Sequence, residues 1–276
     1  VGMANRKGCE GCRNAAASEF VIPFTMAFQP IVDLAERRIW GYESLVRGVN
    51  GESAFEVLGK VTPENRYAFD QSCRVKAIEL AGAGMAAHSR AMLSINFLPN
   101  AVYEPKACIR ATLAAAAKAD FDTSRLMFEF TEQEELRDVE HVENIVSEYR
   151  RMGFKTAIDD FGAGFAGLGL LARFQTDIVK LDMELVRNID KSPSRQAIVE
   201  GIMTMSRLMK FKVLAEGVET EAETATLLQA GVALFQGYLF ARPQVETFVG
   251  EADIAALIDG FSGLDYAESS RIKVVA

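Results

Sequence analysis

Thr156-Ala157-Ile158-Asp159-Asp160-Phe161-Gly162-Ala163-Gly164-Phe165 sets two adjacent carboxylates at the end of a short apolar run and follows them with a glycine-rich turn. Like charges side by side in a half-buried position repel and lose hydration, so the pair needs a cation. A divalent metal meets that need. Neighbours on a strand face opposite ways, but where a strand turns into a loop both side chains can converge on ions a few ångströms apart. The competing reading makes Asp160 the cap of the next helix and Asp159 a solvated loop residue.

The apolar run before the pair is one of eight, at residues 26–32, 39–46, 91–97, 126–130, 155–158, 178–181, 213–215 and 234–235. Most are short and uninterrupted, as buried strands are. Helical patterns lie between them at 67–81, 139–152, 194–209, 221–230 and 245–258, several closed by a glycine (Gly153, Gly231, Gly260). This alternation predicts an α/β fold, a TIM-like (β/α)8 barrel with room for one irregular or antiparallel strand. A doubly wound sheet is the alternative.

Polar residues then recur where the strands end. Glu43 lies in the second run, Asn96 and Glu129 near the ends of the third and fourth, Asp159 and Asp160 after the fifth, Lys180 in the sixth, Glu216 after the seventh and Gln236 after the eighth. Barrel enzymes build their sites from the carboxyl ends of strands.

The totals set limits. The 276 residues, 49% hydrophobic and 25% charged, suit one soluble domain at the long end of the range. A net charge of −8 without a basic run argues against DNA or RNA binding, while a small anionic ligand could still be held by metal and a few arginines. No apolar run is long enough to insert in a membrane and no secretory leader pattern is present, so a cytoplasmic protein is expected. The division expected is a polar segment at 1–22, a catalytic barrel at 23–264 and a tail at 265–276, where 272–275 could add a strand. Cys9-Glu10-Gly11-Cys12 supplies half a zinc site, to be completed by Cys73, Cys108, His88 or a second chain, or else a redox pair, or a tail without a role.

Glu43, Asn96, Glu129, Asp159, Asp160 and Glu216 offer only oxygen ligands, which suits Mg²⁺ or Mn²⁺ better than zinc. His88 and His141 fall in helical stretches, so a serine or cysteine hydrolase is disfavoured. Two hard cations bridged by a carboxylate suit in-line displacement at phosphorus. Lys180 would then position and polarise the water. Its rivals are a Schiff-base nucleophile, which anionic neighbours oppose, and a structural ion pair with Asp182 or Glu216.

Glu43-Ser44-Leu45-Val46-Arg47, Ser94-Ile95-Asn96, Phe128-Glu129-Phe130-Thr131-Glu132, Asp159 to Phe165, Val179-Lys180-Leu181-Asp182, Ala215-Glu216-Gly217-Val218-Glu219 and Gln236-Gly237-Tyr238 together resemble, in order, the motifs of the EAL-domain cyclic di-GMP phosphodiesterases. The resemblance covers about residues 24–243, and its form is similar to the branch attached to blue-light sensors, though no sensor stands in this chain.

The resemblance implies hydrolysis of cyclic di-GMP to linear pGpG with two divalent cations, Mg²⁺ or Mn²⁺, and inhibition by Ca²⁺. It implies that Glu43, Asn96, Glu129 and Asp159 hold one metal, and that Asp159 bridges to a second completed by Asp160 and Glu216. Lys180 would orient or deprotonate the water, with Asp182 steering it and Glu216 beside it. Gln29 and Arg47 would contact the nucleotide, Gln236 would lie near the floor, and Glu132 would anchor the loop after Asp160. A homodimer and a regulatory protein partner also follow from the resemblance. Ser44 in place of the signature alanine, and Ala163 and Ala166-Gly167 in place of hydroxyl residues, are departures that bear on loop rigidity. The alternative from another class is a catalytically weak cyclic di-GMP receptor acting through protein contacts.

Overall fold

Strands β1 (Phe24–Asp33) and β2 (Arg38–Gly48) form an antiparallel hairpin that sets Gln29 opposite Glu43. From β2 the sheet continues in parallel through β3 (Met92–Asn96), β4 (Leu126–Thr131), β5 (Lys155–Phe161), β6 (Ile178–Leu181), β7 (Lys212–Ala215) and β8 (Leu234–Phe235). Antiparallel pairing of β8 with β1 closes an eight-stranded barrel in which β1 is the one reversed member, and β9 (Gln244–Val245) extends the sheet beside β1. The expected TIM-like barrel with one antiparallel strand is what forms. The computed structural model describes residues 22–85, 89–98, 108–131, 139–164 and 167–263; the expectations for Cys9, Cys12, His88, Glu132 and the 265–276 tail fall outside them.

Helices α1 (Ala54–Leu58) and α2 (Arg66–Gly84) connect β2 to β3. Then come α3 (Arg110–Lys118), α4 (Val139–Arg151), α5 (Gly167–Arg173), α6 (Met183–Val186), α7 (Pro193–Met209), α8 (Glu221–Gln229) and α9 (Glu251–Gly260). Their starts are written locally. Ser192 caps α7 ahead of Pro193, and Thr220 and Glu223 form a reciprocal capping box on α8. Between helices and strands lies an aromatic cluster in which Phe128 meets Tyr149 at 5.1 Å and Phe154 at 5.3 Å.

Several elements differ from the sequence expectation. The fifth strand does not stop at Ile158 but runs through the aspartate pair to Phe161. The last helix starts at Glu251, not Val245, because Gln244 and Val245 pair with β1 and Asp253 bonds back to the Gly250 amide. Helices α1, α3, α5 and α6 had no counterpart: α1, α5 and α6 are too short to show a helical period, and the alanine-rich face of α3 shows little polar contrast.

A buried ion pair ties α2 to the end of β3. Arg74 Nη2 donates to Asp70 Oδ2 at 2.6 Å, both side chains are essentially inaccessible, and the Leu98 amide donates to Asp70 Oδ1 at 3.1 Å. Removing one partner leaves an uncompensated buried charge. Arg74→Met is therefore expected to lower the unfolding free energy by about 3–5 kcal/mol, read from urea denaturation. The double variant Asp70→Asn, Arg74→Met should recover much of the loss, and an unshifted midpoint in the single variant would show that the pair carries no such stability.

Candidate active site

The strand period of two builds the site. A buried cluster of Ile31, Met127, Ala157, Ile178, Leu214 and Leu234 forms an apolar floor. Two residues further along each parallel strand stands a polar side chain on the same face: Glu129 above Met127, Asp159 above Ala157, Lys180 above Ile178, Glu216 above Leu214 and Gln236 above Leu234. On the reversed β1 the order inverts, and Gln29 precedes Ile31. On β3 the same face carries Ser94 and then Asn96.

Strand parity alone would send Asp159 and Asp160 to opposite sides. A bulge prevents this: the β5–β6 register breaks between Ile158 and Phe161, and Asp160 adopts φ 55°. Aspartate is one of the few residues that visits this left-handed region, at a cost of about 1–2 kcal/mol. The Asp160 amide donates to Asp159 Oδ1 at 3.0 Å. Gly162, at φ 102°, follows where an added Cβ would lie 2.5 Å from Leu185 Cδ1. Ligand-type oxygens of Glu43, Glu129 and Asp159 lie within 4.8 Å of one another, and so do those of Asp159, Asp160 and Glu216. Asp159 belongs to both groups.

Lys180 is wholly buried at the centre. Its ammonium lies 2.7 Å from Glu129, 2.7 Å from Glu216, 3.0 Å from Asp159 and 3.6 Å from Glu43. Asp182, expected to steer the lysine, instead accepts from the Glu184 amide at 2.7 Å and caps α6. Burial alone would lower the Lys180 pKa, but Asp159, Glu129, Glu216 and Glu43 outweigh it and hold the group well above its ordinary value. The carboxylates are also pushed up. Burial raises Glu129 to about 8 against the pull of Lys180, with Glu43 and Asp159 adding to the rise. Burial and then Asp159 raise Glu216 strongly, and burial with Asp159 and Asp182 lifts Asp160 to about 6. One ammonium does not balance five carboxylates.

That excess negative charge, the all-oxygen donor set and the shared Asp159 fit hard divalent cations. Asn96 Nδ2 donates to Glu43 Oε1 at 3.0 Å, which sets the Asn96 amide against the first group. Gln236 donates to Glu43 at 2.6 Å and to Gln29 Oε1 at 3.1 Å, while its own buried Oε1 has no partner among the described residues. Gln29 in turn donates to the Ala241 carbonyl at 3.0 Å. Arg47 shares the strand with Glu43 but turns Nη1 to the Val46 carbonyl at 2.6 Å.

Two residues near the cluster carried no role in the sequence reading. Ser94 donates to Glu129 Oε1, and its position two residues before Asn96 was the available signal. Arg66 lines a cavity of about 560 Å³ together with Glu43, Asn96 and Asp159, and nothing in the sequence pattern marked it. A larger cavity, about 660 Å³, lies at the amino ends of β2 and β3, and none of the cluster carboxylates lines it.

The EAL domain model matches residues 22–243. Two relatives are the blue light- and temperature-regulated antirepressor BluF of Escherichia coli K12, 33% identical over 79% of this chain and 54% of BluF, and the cyclic di-GMP phosphodiesterase PA2567 of Pseudomonas aeruginosa, 31% identical over 80% of this chain and 38% of that protein. The chain thus spans about half or less of these relatives. Among solved structures, a standalone versatile EAL protein from Vibrio cholerae O395 in its c-di-GMP-bound form is 52% identical with a TM-score of 0.80, over 84% of this chain and 97% of that one. Klebsiella pneumoniae BlrP1 in a manganese and cyclic di-GMP complex is 36% identical with a TM-score of 0.76, over 83% of this chain and 57% of that one.

Raised carboxylate pKa values carry a pH signature. Groups whose pKa rises on folding stabilise the fold most below the ordinary carboxylate range, and that contribution is lost as pH climbs through the folded values, about 6 for Asp160 and about 8 for Glu129. The melting temperature of EDTA-treated protein should therefore fall between pH 6 and pH 8.5, and Mg²⁺ or Mn²⁺ should restore it most at the upper end. A metal-free melting temperature that stays flat across this range would contradict the crowding of charge described here.

Proposed function

The chain belongs to the EAL domain family, and from that membership we propose that it is a metal-dependent phosphodiesterase that opens cyclic di-GMP to linear pGpG. The observation that carries the reading is the pair of carboxylate groups joined at Asp159 around a buried lysine. It is supported by the c-di-GMP-bound Vibrio cholerae EAL protein and by BlrP1 with manganese.

In this proposal Glu43, Asn96, Glu129 and Asp159 hold one divalent cation, Mg²⁺ or Mn²⁺, and Asp159, Asp160 and Glu216 hold a second. Two hard cations supply Lewis acidity to the phosphodiester and favour ionisation of the attacking water. The protein's own groups hold and orient. Lys180, set among Glu129, Glu216 and Asp159, orients or deprotonates the attacking water. A Schiff-base role is disfavoured by the anionic neighbours, since a nucleophilic amine needs a depressed pKa and they push the opposite way. Gln236 and Gln29 brace Glu43 at the floor. Arg47 contacts the nucleotide once its guanidinium leaves the Val46 carbonyl, and its fork suits a phosphate. A homodimer and a cytoplasmic location belong to the same proposal, on the strength of the family resemblance.

Purified protein incubated with cyclic di-GMP and Mg²⁺ or Mn²⁺ should yield pGpG by chromatography, and Ca²⁺ should suppress it. Glu43→Ala and Asp159→Ala should each lower turnover at least ~100-fold, because loss of groups that merely orient metal ligands already costs about 10–100-fold. Near wild-type turnover in either variant would sink the metal assignment. BluF, named an antirepressor, favours the second reading, a cyclic di-GMP receptor acting through protein contacts. Binding of the dinucleotide without product under the same conditions would select it.

A further inference from the structure

The cavity beside Glu43, Asn96 and Asp159 is lined away from the carboxylates by Leu45, Leu58, Val61 and Phe69. Such walls suit a flat heteroaromatic base, whose faces are apolar and whose edges carry the hydrogen-bonding groups. Arg66 is the one cationic residue among the described lining residues. It opens α2, whose first turn holds no acidic residue, and no described residue hydrogen-bonds or ion-pairs with its guanidinium. Asp70, one turn further on, is already engaged: one oxygen accepts from the Leu98 amide and the other from Arg74.

A lone guanidinium beside an apolar slot selects for a ligand that brings two acceptors in a plane. The O6 and N7 atoms of guanine match the arginine fork, whereas adenine presents an amino donor at the corresponding position and repels it. A phosphodiester would be drawn first to the cation-binding carboxylate cluster, so the apolar slot is left for a base. We propose that Arg66 is a specificity-determining residue that reads O6 and N7 of one guanine of the substrate. This assignment rests on the cyclic di-GMP reading above.

The test is a cycle between residue and ligand. Binding of cyclic di-GMP and of its 7-deazaguanine analogue, which lacks the N7 acceptor, is measured by equilibrium dialysis for wild type, Arg66→Ala and Arg66→Gln, with Ca²⁺ in place of Mg²⁺ or Mn²⁺ to suppress turnover. Arg66→Ala should weaken cyclic di-GMP binding roughly ten- to a hundredfold, and the wild type should disfavour the analogue. Both variants should bind the two ligands nearly equally. If they keep the wild-type preference, so that the two losses multiply independently, or if cyclic di-GMP affinity is unchanged, Arg66 does not read the base. A wild-type protein that fails to bind cyclic di-GMP overturns the functional reading itself, a result distinct from either. Unchanged melting temperatures of the variants confirm that folding is not the cause, and Arg66 is exposed enough for both to fold.

Discussion

The Lys180 ammonium, sealed at the centre of the barrel among Glu43, Glu129, Asp159 and Glu216, is the interaction on which the rest of the site depends. Without it, several carboxylates would share a space from which water is largely excluded, and they would either take up protons or push the strands apart. With it, the group is still short of positive charge, which is why burial and mutual repulsion keep Glu129 and Glu216 above the ordinary carboxylate range. The arrangement is therefore a poor way to stabilise a metal-free fold and a good way to hold cations.

That centre is assembled from rigid elements. Glu43, Glu129, Asp159 and Lys180 lie within strands, and the two residues beyond strand ends are held by continued ladder bonds, Glu216 to the Leu181 carbonyl at 3.2 Å and Gln236 to the Ala215 carbonyl at 2.9 Å. The bulge at Asp160 is the exception that makes the pair usable. Its left-handed backbone costs energy locally and turns two neighbouring carboxylates toward one group of oxygens.

Much of this was legible in the sequence because a barrel maps a strand-end polar residue onto a common mouth. Once eight short apolar runs alternate with helices, Glu43, Glu129, Asp159, Lys180 and Gln236 converge without any further information. Side-chain direction beyond the strand ends was less legible. Asp182 follows Lys180 by two residues, as a steering partner would, yet it sits where a helix begins, and the exposed amide of Glu184 is the stronger claim on its oxygen. Arg66 and Asp70 illustrate a different gap: they line the cavity from a helix and not from a strand end, and no period in the chain marks which helix does so.

Ser44 shows how a departure from a familiar signature can matter physically. Its hydroxyl donates to the Ser94 carbonyl at 2.9 Å, and Ser94 in turn donates to Glu129. A residue that looks like a neutral replacement of alanine thus adds a cross-strand bond between β2 and β3 at the level of Glu43 and Asn96, whose own contact spans the same two strands. The added bond joins the two strands directly beneath the Glu43–Asn96 contact. Through Ser94, the Ser44 hydroxyl is thus linked to Glu129, one of the carboxylates around Lys180.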